Sequence, residues 1–113
     1  MNTITKKTFH VPDDTSQPIK NVRIDTVEIN GVTLQRVVAQ PGWKWSEALG
    51  PQHNPEGCQA DHLIIMISGT VGAKMSSHGD EVVFGPGDVV AMPPGHDSWV
   101  IGKEPAVWIE LPH

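Results

Sequence analysis

Gly85-Pro86-Gly87-Asp88-Val89-Val90-Ala91-Met92-Pro93-Pro94-Gly95-His96-Asp97-Ser98-Trp99 sets two turn clusters around a short apolar run and then releases a histidine. Proline presets φ, glycine tolerates positive φ, and Asp88 can hydrogen-bond local backbone, so Gly85 to Asp88 is a tight turn. Val89 to Met92 is a strand. Pro93-Pro94-Gly95 stops it, because neither proline can donate to a ladder and Pro-Gly suits the centre of a type II turn. If the chain then re-enters a strand, His96, Ser98 and Val100 face one way and Asp97, Trp99 and Ile101 the other.

Upstream, Asp61 to Gly69 is the most hydrophobic run, with His62, Ile64 and Met66 on one face and Leu63, Ile65 and Ile67 on the other. A strand apolar on both faces lies between layers, and in so small a domain one layer can come from a second subunit. Val71 to Met75 and Glu81 to Phe84 form a hairpin leading into the Gly85 turn, and Ala106 to Leu111 closes the chain as another two-sided strand. Further back, Asn30-Gly31 between alternating runs from Val22 to Val38 marks a type I′ hairpin. Trp43, Trp45 and Glu47 would share a face of one more strand, where the two indoles either wall a pocket or fill the core. Thr8 to Val11 adds an edge strand, and Pro12 to Pro18 is loop. Pro51 to Ala60 is an irregular loop, solvated surface or a cover that brings His53 or Glu56 inward. Cys58 within it has neither a second cysteine nor a CxxC motif, so the sequence gives it no metal or redox role.

With 113 residues, 38% hydrophobic and 19% charged, the chain suits one globular domain burying roughly 65% of its unfolded surface. Eleven glycines and ten prolines between short apolar runs point to eight or nine strands rather than long helices. A net charge of −5 with dispersed basic residues excludes a phosphate-tracking nucleic-acid surface. No signal-peptide core and no run near the ~18 apolar residues of a membrane span is present, which implies a cytoplasmic protein without a membrane partner.

The pattern Gly87, Pro93, Gly95 followed by a polar strand resembles the second motif of the cupin superfamily. That resemblance covers residues 32–111 and implies an all-β double-stranded β-helix, a jelly-roll barrel, as a single domain over 1–113 with an N-terminal arm over 1–20. Where the family places a metal-binding histidine, three residues after the last glycine, this chain has Ser98; His96 lies two residues earlier on the same face. The family's metal-binding glutamate, seven residues before a glycine, falls here on His62, and its His-x-His pair falls near Ala48 and Gly50, which bind no metal.

Two functions follow. One is a small-molecule-binding cupin with a cavity lined by Trp43, Trp45, Ile64, Met66 and Trp99 and polar contacts from Glu47, His62, His96 and Ser98. The other is a metal-dependent enzyme, dioxygenase- or isomerase-like, in which His62 and His96, helped by Glu47 or His53, hold a divalent iron, manganese, nickel or zinc ion. Both need the two imidazoles to converge. A homodimer is expected from the two-sided strands.

Overall fold

The computed structural model describes residues 3–48 and 55–113. Among these, nine strands and one short helix follow in the order β1 (Asp14–Ile19), β2 (Val22–Ile29), β3 (Val32–Ala39), α1 (Trp45–Ala48), β4 (His62–Ser68), β5 (Thr70–Met75), β6 (Val82–Phe84), β7 (Val89–Met92), β8 (His96–Ile101) and β9 (Ala106–Glu110). They form a six-stranded sheet, β1-β2-β3-β9-β4-β7, and a three-stranded sheet, β6-β5-β8. Every pairing is antiparallel. No described helix is long and apolar enough to cross a membrane.

The strand over Val89–Met92 and its flanking turns stand as read, with Gly87 and Gly95 at φ of 90° and 99°. Asn30-Gly31 closes a hairpin in which Ile29 pairs with Val32. Alternation then builds the core. Ile64 and Met66 point inward at 1% exposure, and so do Val22, Val37, Ala39 and Trp108 of the large sheet; Val71, Ala73, Phe84 and Val100 meet them from the small sheet. His96, Ser98 and Val100 face inward too, so the predicted parity of β8 holds.

Two segments differ from their sequence reading. Trp43 to Ala48, the described part of the segment read as a strand, is not one: Lys44 makes a single bridge to Trp99, and Trp45–Ala48 then turns into α1. Asp97 on the outward face of β8 accepts hydrogen bonds from the Ser46 backbone N–H (3.1 Å) and hydroxyl (2.8 Å), and the Lys44 carbonyl accepts from the N–H groups of Glu47 and Ala48. These bonds satisfy the turn locally. At the N-terminus the edge strand is Asp14–Ile19, which overlaps the Pro12 to Pro18 segment read as loop, while Thr8 to Val11 is a turn closed by Val11 N–H to the Thr8 carbonyl. An edge strand tolerates proline, and the β1–β2 register shifts between Ser16 and Ile19, the stretch that contains Pro18.

Candidate functional site

His62 opens β4 and His96 opens β8, and the two strands bring their rings to a centroid separation of 5.1 Å, edge to face. Cys58 completes the group. It forms an isolated bridge beside β8, its N–H donating to the His96 carbonyl and its own carbonyl accepting from Gly95 N–H, both at 2.7 Å. Gly57 makes that approach feasible: its φ is +95°, and a Cβ there would lie 2.6 Å from the Gly95 carbonyl carbon. Cys58, His62 and His96 offer ligand atoms all within 4.8 Å of one another.

A second layer orients the rings. The β4–β9 register pairs Ile64 with Glu110 and Met66 with Trp108, lining these inward residues up with His62 by the period of two. His62 Nδ1 lies 2.8 Å from Glu110 Oε1, and Glu110 Oε2 accepts a 2.8 Å hydrogen bond from Trp108 Nε1–H. His96, only 3% exposed, has Nδ1 2.8 Å from the Pro93 carbonyl in the Pro-Pro-Gly turn. Both acceptors require a proton on Nδ1, which leaves Nε2 of each ring as the free nitrogen.

The electrostatics follow from these contacts. Hydrogen bonding to His62, then to His96, lowers the Cys58 thiol to about 6 against the opposing effect of burial. His62 is raised to about 9, first by Cys58 and then by Glu110. Thiol and imidazole thus favour each other's charged forms and compete for one proton, and a divalent ion would take that proton's place between them. Two oriented imidazoles and a thiolate form a donor set of the kind that holds zinc or other borderline-soft ions.

No family model and no curated protein matches the chain. Among solved structures, a protein of unknown function from Acidithiobacillus ferrooxidans is 14% identical with a TM-score of 0.66, covering 89% of this chain and 88% of that one. A cupin-like protein from Thermotoga maritima is 18% identical with a TM-score of 0.57, covering 88% and 74%. KdgF from Halomonas sp. is 14% identical with a TM-score of 0.58, covering 88% of each. The chain has the cupin fold. The cupin resemblance in the Gly87 to Gly95 motif thus extends to the whole architecture.

Within this cupin fold the other expected site residues scatter. Trp43 is buried in the core, its ring 6.5 Å from that of Trp108. Ile64 and Met66 are core, and Ser98 is buried on the face that carries His96. Trp45 is half-buried and packs against the core cluster, whereas Glu47 and Trp99 go elsewhere: Glu47 is exposed beside Trp99, on the opposite side of β8 from the His96 ring. Glu47 is therefore not a partner of the two histidines, because a helix stands where a strand was expected. His53 lies outside the described residues. Glu110, Trp108 and Cys58 were not anticipated. The Cys-x3-His spacing of Cys58 and His62 was the available signal, and for Glu110 there was only inward parity on the last strand.

A groove of about 630 Å³ opens at the barrel mouth, where His62 and Glu110 meet Gln35, Asp61 and His113 among apolar neighbours including Ile24 and Val37. A larger groove of about 770 Å³ lies beside Arg23, Asp25 and Arg36 and contains none of the donor residues.

Proposed function

We propose that this cupin-fold protein is a metal-dependent small-molecule-binding protein that holds a divalent ion, zinc foremost, on Cys58, His62 and His96. The carrying observation is the convergence of a thiol and two imidazoles within 4.8 Å. The thiolate favours zinc or nickel over manganese, which prefers oxygen ligands. When bound, such an ion supplies Lewis acidity toward a carbonyl, hydroxyl or carboxylate. The chain's own residues do the rest. Glu110 keeps the His62 proton on Nδ1, Trp108 holds Glu110 in place, and the Pro93 carbonyl does for His96 what Glu110 does for His62. A small polar molecule reaches the group through the mouth groove, where Gln35 and Asp61 offer hydrogen bonds. Cys58, His62 and His96 would supply three ligands, and an ion held on three protein ligands would be able to bind such a molecule as well.

A second reading is supported by the Glu110–His62–Cys58 chain, which has the orienter, base and nucleophile order of a thiol catalyst. One experiment separates the two. Purified protein is analysed for metal and titrated with zinc and with manganese, in the native chain and in Cys58→Ser, His62→Ala and His96→Ala. The metal reading requires one zinc per chain, preferred over manganese and lost in all three variants. Absence of stoichiometric uptake, with rapid alkylation of Cys58 by iodoacetamide, would replace it with the thiol reading.

A further inference from the structure

We propose a second binding site, for a small apolar molecule about the size of a substituted benzene ring, in the slot left between the edges of the two sheets. β6 ends the small sheet and β7 ends the large one, and neither pairs with the other, so the barrel stays open along this line. The opening encloses about 210 Å³. Ala73, Met75, Val82, Phe84 and Met92 line it, and His96 is the buried polar residue at its wall.

Size and lining decide the class of occupant. An apolar cavity of ~150 Å³ is sufficient for benzene, so this volume admits one ring with a substituent. Phe84 and Met92 are buried at 3% and 8%, whereas Val82 is 59% exposed, so the walls run from a dry floor to a wet apolar rim. Water in such a slot finds few partners, and covering the rim with hydrocarbon is favourable. Two methionine side chains, unbranched and polarizable, adapt to a flat ring. Lys74 and Asp80, both exposed at the slot, leave room for one polar substituent at the solvent end. A sugar or a free phosphate is excluded by the same apolar lining.

His96 belongs both to this slot and to the Cys58–His62–His96 group. An occupant therefore presses on a ring whose orientation matters for the donor set, and any change that the slot imposes on metal affinity is returned in equal measure by the metal on the slot. The proposal itself does not require a metal.

The protein labelled with ¹³C at the methionine methyls is titrated with phenol, and with glycerol as a polar control, in zinc-loaded and zinc-free samples. Phenol should shift the Met75 and Met92 methyls saturably while leaving Met66 in place, and glycerol should shift none. Ala73→Leu fills the floor and should abolish the shifts. Val82→Trp, at an exposed rim position where folding is not at stake, should do the same. Absence of a saturable shift at the solubility limit, an equal shift at Met66, or shifts that persist in both variants would overturn the site. Zinc uptake is scored on the same samples, so loss of the slot and loss of the metal reading are recorded separately.

Discussion

Glu110 reaches the donor group through His62, and it decides which nitrogen of that ring is free. Replacing it by Gln leaves the shape but weakens the anionic acceptor, and zinc affinity should fall about 10- to 100-fold by calorimetric titration, the usual range for partners of ligating histidines. Trp108→Phe removes the donor that steadies Glu110 and should act in the same direction, near the tenfold end. A different constraint operates at Gly72, where an added Cβ would lie 2.6 Å from Trp99 Nε1. That indole is also held by the Lys44 ammonium 5.4 Å above its ring. Gly72→Ala should therefore destabilise the protein by about 1 to 3 kcal/mol, read as a lower urea midpoint together with altered tryptophan fluorescence.

The N-terminal three strands carry their own electrostatic element. Asp25 on β2 is fully buried and accepts hydrogen bonds from Arg36 Nη2 (2.9 Å) on β3, Thr15 Oγ1 (2.9 Å) on β1 and Arg23 Nε (3.0 Å). Burial by itself pushes the Asp25 carboxyl up, but the bonds from Arg36, Thr15 and Arg23 together outweigh it, so its pKa lies below the ordinary carboxylate value. A pKa lowered by folding adds stability that is present in full above the unfolded value near 3.9 and is lost as pH falls through the folded value. Urea unfolding should accordingly show native stability dropping below about pH 4, with that part of the slope missing in Asp25→Asn. At neutral pH the same variant should cost about 2 to 3 kcal/mol, because it removes the charge from three hydrogen bonds.

On the scale of the molecule, the large sheet buries one face and leaves the other short of cover. Leu63 and Ile65 point outward half-buried, Ile67 is 51% exposed and Val89 is 65% exposed, with Val107 and Ile109 on the adjoining strand. The register places Ile65 opposite both Val89 and Ile109, so these side chains form one patch. We propose that a second copy covers it, since stable interfaces bury ~1,200 to 2,000 Å² in total, an area that one sheet face of a small domain can contribute to. Light scattering at micromolar concentration should return a dimer, and Ile67→Lys combined with Val89→Lys should return a monomer with unchanged circular dichroism. A monomeric native chain would remove the proposal.

Turn chemistry and alternation carry information within a few residues of chain, and that is why β2 to β9 and the inward placement of His62 and His96 were legible from sequence. Asn-Gly between alternating runs demands a hairpin, Pro-Pro-Gly ends a strand wherever it occurs, and the period of two then assigns faces. The segment from Trp43 was misread because its polar and aromatic alternation also fits a capped helical turn, and the cap comes from Asp97, 51 residues away from Ser46. The Cys58–His62–His96 group with Glu110 behind it belongs to the tertiary structure alone. Apart from the Cys-x3-His spacing of Cys58 and His62, its members meet through long-range pairings, the β4–β9 register and a bridge from Cys58 to His96, and these are what convert two inward histidines into a site.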